Sequence, residues 1–373
     1  MRIKEIRIKG LFGMFDHVIP LNLDTHLSII YGINGIGKST VFKMLDCLFH
    51  NDSFNLKKIV FENLELVFEN DTVFIISNKN DKLETVTTNK AEINNILKNL
   101  KVFLIDEKRL FIHAPAILNK NFIINDTSNV DEMGTMYKDA ITFHSQKFSN
   151  LITSKRVEYI ELTKSLESSL GKRILSKEIK TNLDKEALKK IVFEVQDRRL
   201  ELQKIGLIES LEEENLTIPD DLDSGTQAVL SVSFQDIQTK LNIFDEIYEK
   251  LTLFLDILNQ RRFSFKQISV NQQDGFLITN DNGIIIELTD LSTGEQHELI
   301  LLYLLLFKAP ENSLILIDEP ETSLHIDWQA AFLKDMEDII KLRKFDILIS
   351  THSPSIVSGR RELTIPLYGK KHE

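Results

Sequence analysis

Leu27-Ser28-Ile29-Ile30-Tyr31-Gly32-Ile33-Asn34-Gly35-Ile36-Gly37-Lys38-Ser39-Thr40-Val41-Phe42 is the stretch on which the fold turns. The apolar run Leu27 to Tyr31 predicts a buried strand, Gly32 to Ser39 fits G-x-x-x-x-G-K-[ST], and Val41 to Leu48 continues as a helix. Glycines at these positions let backbone N–H groups curl around an anion at a helix start. Lys38 is placed to neutralise phosphate oxygens, and the Ser39 hydroxyl to join a Mg2+ shell. A loop of this kind needs a carboxylate partner on a neighbouring strand.

Two places offer four apolar residues followed by Asp-Glu: Val102 to Glu107, and Leu314 to Glu319. The second is taken as the partner, with Asp318 toward Mg2+ and Glu319 toward the attacking water. The first is then a neighbouring strand end. Around the second lie Leu291-Ser292-Thr293-Gly294-Glu295-Gln296 upstream, and Pro320-Glu321-Thr322-Ser323-Leu324-His325 and Ser350-Thr351-His352-Ser353-Pro354 downstream.

Outward from these motifs the chain divides in three. Residues 1–118 read as strands around one helix, with a hairpin made by Leu64 to Glu69, the turn Asn70-Asp71, and Thr72 to Ser77. Residues 119–262 read as a helical insertion, preceded by the polar stretch Asn119 to Gly134. Within it Ile237, Leu241, Phe244, Tyr248, Leu251, Leu255 and Leu258 form a heptad seam. A weaker seam through Leu188, Ile191, Val195, Leu202 and Ile205 is interrupted by Arg198, and Thr217-Ile218-Pro219-Asp220-Asp221 separates the two. A short coiled coil and an ordinary helical bundle carry equal weight. Residues 263–373 return to α/β.

Composition narrows the classes. The chain of 373 residues, 42% hydrophobic, is long enough for a sizeable core, and its formal net charge of −11 argues against a generally basic, DNA-coating surface. Its longest apolar run, Leu299 to Phe307, is about half of what a bilayer crossing requires. The alternating start Met-Arg-Ile-Lys-Glu-Ile lacks the core of a secretion signal, and Cys47 is the only cysteine. These features point to the cytoplasm, without a membrane.

The four motifs in this order resemble the ABC-class ATPase heads of the RecF, SMC and OLD type. The resemblance implies an α/β head, a mixed sheet with flanking helices, interrupted by a helical, short coiled-coil-like insertion. ATP and Mg2+ are then the implied cofactors. Asn34, Gly35, Gly37, Lys38, Ser39 and Thr40 would hold the nucleotide, Ser39 and Asp318 the metal, and Glu319 and His352 would act in hydrolysis. Ser292 and the Gly294 backbone would cap the γ-phosphate held by a second copy, with Glu295 also in the nucleotide-binding set, so the resemblance implies a head-to-tail dimer. Ser323-Leu324-His325 would link the two sites.

This sequence departs from that family at one point: a Gln is expected at the strand end between P-loop and signature, and the corresponding place reads Asp106-Glu107-Lys108-Arg109. The departure bears on hydrolysis rate more than on ATP binding. Phe12, Phe15 and His17 stand where an adenine-stacking ring could sit, with core packing the favoured role. The opening Ile8-Lys9-Gly10-Leu11-Phe12-Gly13-Met14-Phe15 and the short insertion look most like the ATPase subunits of PARIS-like and Septu-like anti-phage systems. Such a subunit controls a separate effector, and the few residues after His352 leave no room for a nuclease domain. The alternative is a repair ATPase contacting duplex DNA through pairs such as Lys155-Arg156, Lys172-Arg173, Lys189-Lys190 and Arg198-Arg199. A transporter ATPase ranks last.

Overall fold

The computed structural model describes residues 1–79, 82–106, 111–113, 137–175, 185–208, 218, 223–322, 324–357, 359–368 and 370–371. Strands run in chain order as β1 (Ile3–Leu11), β2 (Phe15–Pro20), β3 (Leu27–Tyr31), β4 (Asn63–Phe68), β5 (Val73–Lys79), β6 (Lys82–Thr87), β7 (Lys101–Ile105), β8 (Phe111–His113) and β9 (Tyr137–Asp139). They continue as β10 (Lys266–Asn271), β11 (Gly275–Asn280), β12 (Ile285–Ile286), β13 (Ser313–Asp318), β14 (Asp346–Thr351), β15 (Thr364–Pro366) and β16 (Lys370–Lys371). The helices are α1 (Lys38–Phe49), α2 (Ser53–Lys58), α3 (Lys90–Asn99), α4 (Ala140–Leu175), α5 (Lys185–Lys204), α6 (Ser224–Leu241), α7 (Asp245–Asp256), α8 (Thr293–Tyr303), α9 (Ile326–Arg343) and α10 (Pro354–Val357). The fold is mixed α/β with a helical insertion between the two halves of the head.

Two compact units result: Met1–Ala140 with Ser292–Glu373, and Ile141–Leu291. The first holds a five-stranded sheet of order β15-β3-β14-β13-β7, every pairing parallel, and a six-stranded antiparallel sheet of order β16-β2-β1-β4-β5-β6. Every residue of β13 is buried, as befits a central parallel strand covered on both faces. Val41, Phe42, Met44 and Leu45 of α1 join Ile6, Ile8, Leu64 and Leu66 of the antiparallel sheet and Ile30, Leu314, Leu316 and Leu348 of the parallel sheet in one core. That shared core holds the start of α1 at the carboxyl ends of the parallel strands. The hairpin read from Leu64 to Ser77 is β4–β5, turning at Asp71 with φ 60°.

In the second unit the insertion ends later than the pattern suggests. The β10–β11–β12 sheet, expected after residue 263 as part of the head, belongs with the helices. The reason is packing: Ser145 Oγ of α4 donates to Asp274 O (2.7 Å) and accepts from Phe276 N–H (2.8 Å), and Phe276 stacks between Phe148 and Phe254. Gly275, at φ +77°, lets the hairpin touch α4, since a Cβ there would lie 2.1 Å from Ser145 O.

α4 is 36 residues long, about 54 Å at 1.5 Å per residue. Leu188 and Val192 of α5 pack on Phe234 of α6, and Arg173 of α4 makes a bidentate pair with Asp236 of α6 at 2.7 and 2.6 Å. The heptad seam does not run as one regular helix. A 3-10 turn at Asn242–Phe244 precedes α7, which passes into a π turn at Ile257–Arg262. Arg198, the break in the α5 seam, reaches Asp245 (2.6 Å) and lies 3.9 Å over the Tyr248 ring. The insertion is thus a short packed bundle. Residues 119–134, 219–221 and 107–109 lie outside the described residues. Among the described residues, no helix is long and apolar enough to cross a membrane.

Candidate functional site

Parallel pairing brings three chain segments to one level. Tyr31 of β3 pairs with Thr351 of β14, and Ser350 of β14 pairs with Asp318 of β13. The loop Gly32–Gly37, the loop beginning at His352 and the turn beginning at Glu319 therefore leave the sheet side by side, at the carboxyl ends where α/β sheets bind ligands. β7 pairs with β13 on the far side, Ile105 opposite Ile317, so the two Asp-Glu strands are neighbours. Asp106 follows the last paired residue and is half-buried; Glu107 lies outside the described residues.

The phosphate loop has the backbone its glycines imply. Gly35 has φ 82° and Gly37 φ 99°, a left-handed conformation that a side chain would strain. Gly37 caps α1 without a side-chain hydrogen bond, and the first turn carries no acidic residue, so the N–H groups there face no competing acceptor of their own helix. Asn34 and Gly35 are exposed; Ser39 and Thr40 are half-buried in the first turn. Behind the loop, the buried His17 reaches Ile36 O through Nε2 at 2.9 Å, and burial pushes its imidazole pKa below the usual histidine value. His17 is a prop beneath the loop; Phe15 stacks on it with ring centroids 6.0 Å apart.

Lys38 is the centre of the site. Its Nζ donates to Gly32 O (2.9 Å) and Ile33 O (3.2 Å) and lies 3.2 Å from His352 Nδ1. Burial pushes the Lys38 ammonium below the usual lysine range, against the pull of Glu319, Asp318 and Glu321, in that order. On the other edge of the imidazole, His352 Nε2 lies 3.2 Å from Glu319 Oε1. An ammonium only donates, so Nδ1 accepts from Lys38 and the neutral ring carries its proton on Nε2, donating to Glu319.

Glu319 sits at φ 44°, uncommon outside glycine, with its N–H on Ser350 O at 2.9 Å. That left-handed residue turns the chain off β13 toward His352. Asp318 is 6% exposed and its Oδ1 has no hydrogen-bond partner. A buried carboxylate oxygen without a hydrogen-bond donor is of the kind that suits a cation.

Among the described residues, no hydrogen bond joins this cluster to the signature residues Ser292 and Gly294. Ser292 is the N-cap of α8, and Ser292 with Glu295 forms a capping box: Ser292 N–H donates to Glu295 Oε2 (2.9 Å), while Glu295 N–H approaches Ser292 Oγ (3.4 Å). Glu295 thus has a local structural task. His325 caps α9, Leu324 is buried, and Ser323 lies outside the described residues. One participant was missed in the sequence. Glu321 Oε1 accepts from Thr351 Oγ1, His352 N–H and Ser353 N–H, and only its place two residues after Glu319 could have signalled it.

A phosphate loop on a parallel sheet, facing an Asp-Glu strand end and a histidine, defines a P-loop nucleotide-binding ATPase core. The chain belongs to the AAA ATPase domain family, whose model matches residues 1–357. It is 33% identical over 91 residues, 24% of its length, to a protein of two Helicobacter pylori strains described as "Probable iron chelatin transport ATP-binding protein". The chain spans about a third of the length of those curated relatives. Among solved structures it is similar to the Smc head domain of Pyrococcus furiosus with an extended coiled coil, bound to the C-terminal domain of ScpA. There the TM-score is 0.44 and the identity 16%, over 98% of this chain and 94% of that one. A second SmcHead, bound to the C-winged helix domain of ScpA, gives a TM-score of 0.42 at 13% identity, over 96% and 91%.

Proposed function

We propose that the chain binds ATP with Mg2+ and hydrolyses it slowly, that two copies complete each other's sites head to tail, and that this ATP-dependent association controls a separate effector. The observation that carries the catalytic part is the convergence of Lys38, His352 and Glu319 within 3.2 Å contacts beside the buried Asp318. Asn34, Gly35, Gly37 and Thr40 line the phosphate cradle with Lys38. Ser39 and Asp318 would hold Mg2+, which supplies charge neutralisation on the phosphates. Glu319 orients the attacking water, and His352 senses the γ-phosphate from the Lys38 side.

Ser292 and Gly294 support the dimer. An exposed helix start whose Thr293 and Gly294 N–H groups lie outside the capping box suits an anion held by another copy. Closure then follows ATP and opening follows hydrolysis, which makes the dimer a switch. The biological setting proposed is a cytoplasmic anti-phage defence system of the PARIS-like or Septu-like kind, with a nuclease or other toxic protein as effector. Its support is the likeness of the opening segment and of the short insertion.

Direct DNA binding is the alternative, and the ion pairs weigh against it. Arg156 binds Leu207 O and Gln272, Arg173 binds Asp236, Arg198 binds Glu201 and Asp245, and Lys189 and Lys190 lie beside Glu186 and Glu194. The match to a transport ATP-binding protein supports the nucleotide-binding part alone, since it covers 24% of the chain. The deciding assay is ATP turnover with and without duplex DNA, with Glu319→Gln as baseline. Turnover that depends on Glu319 and ignores DNA supports the effector-controlling switch; a many-fold, salt-sensitive rise with DNA favours the alternative. Turnover no higher than that of Glu319→Gln would overturn the hydrolytic reading.

A further inference from the structure

One carboxylate oxygen ties the turn after β13 to the loop after β14. Glu321 Oε1 accepts from Thr351 Oγ1 at 2.8 Å, His352 N–H at 2.6 Å and Ser353 N–H at 3.1 Å. Glu321 is itself fixed within its turn, where Leu324 N–H donates to Glu321 O (3.0 Å) and Thr322 N–H to Glu319 O (3.1 Å). A second strand of bonds runs parallel: Ser353 Oγ donates to Gln329 Oε1 (2.6 Å), and Gln329 Nε2 donates to Leu324 O (3.0 Å).

We propose that Glu321 is a positioning residue for ATP hydrolysis: it fixes the backbone of His352 so that the imidazole stands between Lys38 and Glu319. The proposal rests on the reading of His352 and Glu319 given above. β14 ends at Thr351, so the N–H groups of His352 and Ser353 lie beyond the sheet ladder. Three donors converge on one oxygen, and the charge of a carboxylate strengthens each bond beyond what a neutral amide oxygen in the same place would give. The imidazole meets its two partners at 3.2 Å on opposite edges, so a shift of about 1 Å breaks both contacts, a displacement that can cost on the order of 100-fold in rate. With Oε1 committed to three donors of the loop, Glu321 acts on hydrolysis through His352. Because Glu319 and Glu321 share one turn, any movement of that turn also moves His352.

The test uses the full chain as Glu321→Ala, Glu321→Gln, His352→Ala and the double variant Glu321→Ala/His352→Ala. In the nucleotide-free protein, the ring 15N spectrum of His352, identified by its loss in His352→Ala, shows the Nε2-protonated tautomer. Glu321→Ala averages the two tautomers, and Glu321→Gln, whose amide oxygen keeps the Oε1 bonds, restores the original spectrum. In turnover, Glu321→Ala lowers kcat about 100-fold, changes the Kd for a fluorescent ATP analogue by less than about threefold, and adds no loss to His352→Ala. If Glu321→Ala is too unstable to purify, Glu321→Asp, which withdraws the oxygens by one methylene, carries the same comparison.

An unaltered His352 spectrum in Glu321→Ala, or losses that multiply in the double variant, would overturn the proposal. Should His352→Ala hydrolyse ATP at the full rate, the hydrolytic role of His352 fails; the spectrum of Glu321→Ala still decides, by itself, whether Glu321 holds the loop.

Discussion

Lys38 Nζ and His352 Nδ1, 314 residues apart in the chain, meet at 3.2 Å. The contact joins the phosphate loop to the β14 exit loop. With Gly32 O and Ile33 O it gives the ammonium three acceptors, one for each N–H. On the reading proposed above, a phosphate at the loop recruits Lys38 from this set, and its arrival is passed to His352 and, through its Nε2, to Glu319.

Replacing Lys38 by Met removes the charge while keeping most of the volume. The lost charge-assisted bonds amount to about 1.5–3 kcal/mol, so calorimetric titration is expected to show ATP binding weakened about 10- to 100-fold. Affinity equal to the unaltered protein would mean that the loop does not hold the phosphates.

Glu319→Gln keeps the size of the side chain and its contact with His352 but removes the carboxylate. Turnover is expected to fall about 100- to 10,000-fold, while the ATP Kd stays within about threefold. A parallel rise in Kd would indicate a binding role instead.

Ser292→Ala separates the cap from the proposed action across a dimer. Loss of the capping box destabilises α8 by about 1 kcal/mol, visible as a small drop in melting temperature. The dimer reading adds that turnover per chain rises with protein concentration in the unaltered protein and falls in the variant, with ATP binding to the dilute monomer unchanged. Turnover per chain that is independent of concentration would contradict the dimer.

Gly275→Ala tests the boundary of the inserted unit. A Cβ there would lie 2.1 Å from the backbone oxygen of Ser145, at φ +77°. Relief requires moving the hairpin off α4, so denaturant unfolding is expected to show a loss of about 2–4 kcal/mol. A loss below about 0.5 kcal/mol would mean that the hairpin is not held on α4.

His17 predicts a pH dependence with a definite sign. Burial lowers its pKa in the folded chain, so on acidification the unfolded chain takes up the proton first. Its contribution is therefore fully present above the ordinary histidine pKa of about 6.5 and declines as pH falls toward the lower folded value. His17→Gln, which can still donate to Ile36 O, is expected to flatten the fall in melting temperature below about pH 6.5; an unchanged slope would place the acid sensitivity elsewhere.

The motifs were legible because each is local. Gly35 and Gly37 mark a positive-φ loop, Leu27 to Tyr31 and Val41 to Leu48 mark the strand and helix around it, and Ile317-Asp318-Glu319 marks a strand end, all from contiguous residues. Both Asp-Glu strands were legible as strands, and they prove to be the parallel neighbours β7 and β13. The site beyond its motifs was less so. Nothing near Glu321 announces three donors from a segment 30 residues away, and Arg198 reads only as a break until Asp245 and Tyr248 are seen against it.

The amino-acid sequence by itself determined the phosphate loop, its Asp-Glu partner strand and the interruption of an α/β head by helices, because these depend on backbone preferences and on periodicity over a few residues. Only the tertiary structure decided which segments meet: the parallel register that levels Tyr31, Thr351 and Asp318, the close approach at Gly275 that assigns the hairpin to the inserted unit, and the Glu321 bonds that hold His352. Such relationships follow from packing and hydrogen-bond satisfaction between distant parts of the chain, for which a single sequence carries no local signal.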